Sequence, residues 1–286
     1  MEDADFFTNT RIAIVGLGLM GGSLALGLRG RCHTLLAVDP DPAAHELALE
    51  SNIVDQISTD PVEILPQADL IILAAPVGAI IEFIPRLPDL TPEPAVILDI
   101  GSTKVQICQT LNDLPPRFEP IGGHPMCGKA IGGLSHAEAD IFHKAPFAFT
   151  PLPRTTERAR ETADQLAYAL GAHPLWIGPN THDSWVAATS HLPHILATAL
   201  VLSTETEASH LVGPGFRSAS RLAGSPSSVI LPIMETNRPQ ILEAIARFRL
   251  HLDDIEDCLA RGDYNSLKNN LNLGAAHKAL LTGIQG

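Results

Sequence analysis

Positive charge is scarce in this 286-residue chain. Its 19 lysines and arginines, of which five are lysine, stand against 32 aspartates and glutamates, for a formal net charge of −13. Such a surface repels phosphate backbones and anionic headgroups, so nucleic acid and membrane are poor partners. A small anionic substrate stays open, because that depends on the local charge of a pocket. Cysteine is sparse too. Cys32, Cys108, Cys127 and Cys258 show no CxxC spacing and no histidine in zinc-ligand register, which predicts reduced thiols and no metal. The first seven residues are acidic and too poor in apolar side chains for a signal peptide, and no later run approaches membrane-spanning length. A soluble, cytoplasmic protein is the expectation. No internal repeat stands out.

What is present is globular: 45% hydrophobic and 18% charged residues. The length suits two domains, each with its own core. From Arg11 to about Gly178, short β-rich runs alternate with helical stretches. The runs 12–15, 34–38, 70–74 and 95–99 are continuously apolar, as strands covered on both faces of a parallel sheet are. Helical stretches at 20–29, 42–51, 77–86 and 104–114 separate them, and 147–150, 157–170 and 174–177 close the unit. From about Asn180 onward the chain reads as helix after helix. The expected fold is a Rossmann-like, doubly wound α/β domain over residues 1–178, followed by an all-α helical domain over 179–286. One long helix or two kinked at Pro193 fit 181–210, and further helices fit 228–259 and 263–281.

Directly after the first apolar run comes Gly16-Leu17-Gly18-Leu19-Met20-Gly21, the GxGxxG pattern, and a helical stretch follows it. Glycines there permit a tight turn and let a pyrophosphate reach the backbone at a helix N-terminus. The pattern alone is weak, but here it has a strand before it and a helix after it. Asp39, ending the second run, can accept hydrogen bonds from ribose hydroxyls, which favours NAD over NADP; otherwise it caps the next helix. Arg29 or Arg31 keeps NADP possible by offering a phosphate partner. Ala75 and Pro76 end another strand at the edge where the dinucleotide would lie.

Two further segments carry chemistry. Ser102 follows the run that ends at Asp99, and His124 sits among glycines in Ile121-Gly122-Gly123-His124-Pro125-Met126-Cys127-Gly128-Lys129, just after an expected strand. A titratable ring in such a loop can meet a ligand, although proline and glycine also make plain surface turns. Ser102 alone reads equally as a helix cap. Cys127 reads as a small buried thiol rather than a nucleophile.

The glycine fingerprint, Asp99-Ile100-Gly101-Ser102-Thr103-Lys104, Gly122-Gly123-His124-Pro125-Met126-Cys127-Gly128 and Ser190-His191-Leu192-Pro193-His194 together resemble the prephenate and arogenate dehydrogenases of tyrosine biosynthesis. Gly215-Phe216-Arg217 with Ser220-Arg221-Leu222-Ala223, and then Asn237, extend the likeness through nearly the whole chain. The resemblance implies oxidative decarboxylation of a cyclohexadienol dicarboxylate. His124 would be the general base, hydride would pass to NAD, and Ser102 would hold the reacting hydroxyl or orient His124. Arg221 is the best candidate for a forked carboxylate contact, with His191, Arg217 and Lys129 as further candidates. Each has a plainer role open to it: a solvated cation for Arg217, Arg221 or Lys129, and helix packing for His191.

The resemblance also implies a homodimer built through the C-terminal helices and an active site between the domains; with no mutase-like extension after Ile284, a monofunctional enzyme is the expectation. Ile241, Ile245, Phe248, Leu252 and Ile255 form an apolar stripe suited to that use or to packing within the domain. Thr103 departs from the branched aliphatic residues commoner at its position, and 225–229 lacks the family's aromatic residue. Two other readings compete. One is a different dehydrogenase of the same architecture, acting on a β-hydroxy acid or an imine. The other is a non-catalytic NAD(H)-sensing protein, against which the grouping of Ser102, His124 and Arg221 argues.

Overall fold

The structure is a computed structural model that describes residues 7–129 and 131–283. Its strands are β1 (Phe7–Val15), β2 (Cys32–Val38), β3 (Gln56–Ser58), β4 (Leu70–Leu73), β5 (Ala95–Asp99), β6 (Phe118–Pro125), β7 (Pro146–Thr150) and β8 (His173–Trp176). Helices α1 (Leu19–Leu28), α2 (Pro42–Glu50), α3 (Pro61–Ile64), α4 (Val77–Phe83), α5 (Leu87–Leu90), α6 (Val105–Asn112) and α7 (Glu157–Ala169) run between them. The strands form one sheet in the order β3-β2-β1-β4-β5-β6-β7-β8. All neighbours are parallel except β6 and β7. This is the expected doubly wound sheet, and its order reverses between β1 and β4, where such sheets open a crevice at the strand carboxyl ends.

The strands are apolar throughout because both faces are covered. Ile12 and Ile14 pack with Leu24, Leu28, Phe147 and Leu166, while Ala13 and Val15 pack with Ile64, Ile80, Ile107 and Leu111 on the opposite face. Burying each large side chain of this kind stabilises the fold by about 1.5–3 kcal/mol. Asp41 and Asp60 cap α2 and α3, each with proline in the first turn, and Thr156 caps α7. By contrast α1 starts at Gly18 with no side-chain cap, so its first amides are left to other partners.

His124 proves to lie within a strand rather than in a loop after one. The first half of β6 pairs with β5, up to Ile121 opposite Leu98, and the second half pairs antiparallel with β7, with His124 opposite Ala148. The glycines that suggested a flexible loop serve close approach instead. A Cβ at Gly122 would stand 2.1 Å from Thr150 Oγ1, and one at Gly123 would stand 2.7 Å from the Asp99 carbonyl oxygen.

Helices α8 (Pro179–Val186) and α9 (Leu192–Leu202) are joined without interruption by a π turn at Ala187–His191. Pro193 has no amide hydrogen to donate, and Leu192 N–H bonds Ala187 O, five residues back, in the widened turn just before it. This continuous helix, Pro179–Leu202, is long and apolar enough to cross a membrane by length and composition, which corrects the expectation that no run comes near. Inside it Asp183 and His191 are buried and hydrogen-bonded to other parts of the chain. After it come a 3-10 stretch, Thr206–Leu211, then α10 (Pro214–Ser220), a 3-10 turn at Arg221–Gly224, and α11 (Ser227–Thr236). The helix expected over 228–259 is broken at Asn237, beyond which α12 (Arg238–Arg261) begins.

By its internal contacts the chain groups into Met1–Arg238 and Pro239–Gly286, a division later than the change of pattern at 178. In the second unit α12 turns at Gly262, in a left-handed conformation, into α13 (Tyr264–Thr282), which Asp263 caps through Ser266 N. Leu252, Leu259, Leu271, Leu273 and Leu280 are exposed there.

Candidate active site

The glycine turn between β1 and α1 fits a pyrophosphate. Gly16 has φ +94°, and a Cβ there would come within 2.9 Å of Ala74 O; a Cβ on Gly21 would come within 1.9 Å of Gly16 O. Gly18 differs: no heavy atom lies within 4 Å of where its Cβ would be, so the side over this residue is open. Together with the uncapped start of α1 at Leu19, Met20 and Gly21, that opening leaves room for an anion at a helix N-terminus. Ala75 and Pro76, after β4, lie across the switch point, where Ala74 N–H bonds Val15 O.

Asp39 has a structural task. Its carboxylate accepts Leu17 N–H at 2.6 Å and Asp41 N–H at 2.8 Å, tying the glycine turn to the end of β2. It does not cap α2; Asp41 does. Arg29 is paired with Asp55 at 2.5 Å and with Asn52, and Arg31 donates to Ala169 O. Both candidate phosphate partners are therefore engaged elsewhere.

Around His124 a chain of polar groups runs inward. His124 Nδ1 is 3.0 Å from His182 Nε2, and His182 Nδ1 is 2.8 Å from Asp183 Oδ1. Asp183 Oδ1 also accepts Lys104 N–H at 2.7 Å, and its Oδ2 accepts Val105 N–H at 2.8 Å, so it caps α6 from another helix. The Lys104 ammonium is fully buried against Asp99, which also accepts Gly101 N–H and Gly123 N–H. The residue before His124 is thereby held by the same carboxylate as Lys104. Asn237 donates to Asp183 O at 2.8 Å and sits 3.1 Å from His191 Nδ1.

Burial, with His182, Lys104 and His191 nearby, holds the His124 imidazole well below its usual pKa, so the ring is neutral near pH 7. Burial likewise brings His191 down to about 4, against the opposing pull of Asp183. Cys127 is pushed up to about 11 by burial, an inert thiol.

Of the residues singled out by sequence, His124 and His191 enter this network. Ser102 lies on the loop between Asp99 and Lys104, and its hydroxyl makes no hydrogen bond among the described residues. The ring of His124 is oriented by His182, not by Ser102. Arg221 and Arg217 lie in and just after α10, which packs on α9. Both are exposed, with no ion pair among the described residues; Arg217 reaches only Val212 O, at 3.5 Å. Lys129 is less available, held by Glu138 at 2.5 Å and by His136 O.

Sequence profiles place the chain clearly. Residues 24–175 match "Prephenate dehydrogenase, nucleotide-binding domain" and residues 178–273 match "Prephenate dehydrogenase, dimerization domain". The chain belongs to the prephenate dehydrogenase family.

Among its relatives is the prephenate dehydrogenase of Lactococcus lactis, 30% identical over 271 residues that cover 91% of this chain and 74% of that protein. The fold is similar to that of Synechocystis arogenate dehydrogenase, with TM-score 0.83 and 29% identity over 95% of this chain and 99% of the other. It is also similar to prephenate dehydrogenase from Aquifex aeolicus in complex with hydroxyphenyl propionate and NAD+, with TM-score 0.89 and 25% identity over 96% and 99%. The profile match opens at residue 24, so the glycine turn at 16–21 rests on its own geometry. Within this prephenate dehydrogenase-family chain, one sequence departure gains a partner. The Thr103 hydroxyl lies 2.9 Å from that of Thr236, linking the start of α6 to the end of α11.

Sequence reading missed His182, Asp183 and the burial of Lys104. A charged residue inside an apolar helix, Asp183, and a carboxylate and ammonium flanking one loop, Asp99 and Lys104, were the available signals.

Proposed function

We propose that this chain oxidatively decarboxylates prephenate to 4-hydroxyphenylpyruvate, or arogenate to tyrosine, with NAD as the preferred oxidant. The observation that carries the reading is His124 itself. It is a partly accessible, neutral imidazole on a rigid strand, with one nitrogen engaged by His182 and the other without a partner among the described residues. A group in that state takes protons at neutral pH.

NAD, when bound, supplies the hydride acceptor at C4 of the substrate. Gly16, Gly18, Leu19, Met20 and Gly21 would hold its pyrophosphate, Asp39 its ribose, and Ala75 and Pro76 its flank. His124 removes the C4 hydroxyl proton while the C4 hydride leaves, and Ser102 holds that oxygen. The bond to the ring carboxylate then breaks, and carbon dioxide departs. Its electron pair aromatises the ring, and the oxygen at C4 regains a proton from His124 as the phenol. Arg221, with Arg217, binds carboxylate as an unpaired guanidinium can. Lys129 and His191 play lesser parts, the first through its charge and the second by packing behind the site.

The family's dimerization-domain match and the apolar side chains exposed on α12 and α13 support a homodimer. On this reading residues 1–178 bind the dinucleotide, and residues 179–286 supply substrate contacts and the subunit interface. Supplying prephenate and arogenate separately, each with NAD and with NADP, tests the proposal through reduced nicotinamide formation. Turnover of either substrate, faster with NAD, is expected; no turnover in any of the four mixtures overturns it.

A further inference from the structure

The reaction above uses His124 but leaves unexplained the buried imidazole behind it. We infer that His182, fixed by Asp183, is a positioning residue that locks His124 into the tautomer with hydrogen on Nδ1 and a bare Nε2. The inference rests on the proposed reaction for its purpose, and on geometry for its substance.

Hydrogen-bond direction can be traced outward from the carboxylate. Asp183 accepts a backbone N–H on each oxygen, from Lys104 and from Val105, and so presents acceptor character to its remaining neighbour. His182 Nδ1, 2.8 Å away, must then be a donor. In the neutral ring that leaves His182 Nε2 as an acceptor, and its partner at 3.0 Å, His124 Nδ1, becomes the donor. A neutral His124 with hydrogen on Nδ1 carries its lone pair on Nε2. The reverse order needs a protonated Asp183, opposed by two amide donors, or an imidazolium at His182. That ring is 2% exposed and has one nitrogen on Asp183 and the other on His124, so the sense of the chain is read from Asp183 outward. The chain has a fixed sense: carboxylate, His182, His124, substrate.

The anchor is firm at both ends. Asp183 belongs to α8 and grips the first amides of α6, while Asn237 holds the Asp183 carbonyl. The neighbour of His124, Gly123, donates to Asp99 at 3.3 Å. Ring and backbone of the base are thus set by separate carboxylates.

The test combines spectroscopy and kinetics on the full-length, NAD-bound enzyme. With 15N-labelled histidine, the His124 signals, assigned by their loss in H124Q, should show a protonated Nδ1 and a bare Nε2. H182L, which cannot accept the Nδ1 hydrogen, should lose about 100-fold in kcat, the low end of general-base effects. Its KM and its NAD Kd should change less than about threefold. H182Q, whose side-chain oxygen can accept that hydrogen, should recover to within about tenfold of wild type. Hydrogen on Nε2 of wild-type His124 overturns the inference, as does an H182L enzyme with wild-type kcat and pH profile. A wild-type enzyme that turns over neither prephenate nor arogenate overturns the assigned reaction, while the spectrum, which needs no substrate, still decides the tautomer. Should H182L not fold, H182Q and the wild-type spectrum decide.

Discussion

Asp183 accepts the backbone N–H of Lys104 at 2.7 Å, so a residue near the start of one long helix caps another helix 79 positions earlier in the chain. Removing the carboxylate strands two amide donors and the His182 Nδ1 hydrogen in a buried place. Asp183→Ala should destabilise the protein by about 1–3 kcal/mol, lowering Tm on the order of 5 °C. A calorimetric scan checks this; an unchanged Tm would show that the cap contributes nothing in solution.

His124→Ala should lower kcat by roughly 10²–10⁴ while leaving NAD binding nearly intact, because the ring serves the proton and not the dinucleotide. Its depressed pKa adds a pH signature. The base stays unprotonated through the neutral range, so kcat should be flat from pH 8 to 6.5 and fall only well below. A titration midpoint near 7 in the kcat profile would contradict a lowered pKa at His124.

Two glycine variants separate cofactor space from backbone space. Gly21→Ala drives a Cβ to within 1.9 Å of Gly16 O, so the turn must open and the protein should lose stability together with NAD binding. Gly18→Ala meets no protein atom within 4 Å, so Tm should stay within about 1 kcal/mol equivalent of wild type while NAD Kd rises. Equal NAD affinity in Gly18→Ala would move the pyrophosphate away from α1.

Arg221→Ala should act on substrate rather than cofactor. Loss of a charged, forked contact costs about 1.5–3 kcal/mol, or roughly 10–100-fold in kcat/KM, expressed mainly as a higher KM. Steady-state kinetics at saturating NAD measures it, and an unaltered KM would assign Arg221 to the surface.

His191 predicts how stability follows pH. Its folded pKa, about 4, lies below the usual 6.5, so the unfolded chain binds the proton more readily. The stability linked to this ring is whole above pH 6.5 and is lost progressively as pH falls toward 4, on the order of 3 kcal/mol in full. Urea unfolding at pH 7 and pH 4.5 should show the loss, and it should shrink in His191→Asn.

The sheet was legible because strands buried on both faces leave unbroken apolar runs, as Ile12–Val15 and Leu70–Leu73 do. The glycine turn was legible because its neighbours in sequence are also its neighbours in space. The three-residue strand β3 was too short to carry a pattern. His182 and Asp183 were harder to read: the charge of Asp183 in an apolar helix was a signal, but their partners lie 58 and 79 positions away, and no local spacing encodes that. Gly122 and Gly123 misled in an instructive way, since glycine marks close approach as readily as flexibility, and only the neighbouring strand distinguishes the two.

The seam in β6, where pairing changes from β5 to β7, places His124 on a strand hydrogen-bonded within the sheet, whereas Arg217 and Arg221 stand on short exposed helical turns. The proposed base and the proposed carboxylate contacts thus sit on different kinds of element, a paired strand and exposed helical turns. On the proposed reaction, substitutions around the two arginines would alter substrate contacts while leaving the strand that carries His124 in place.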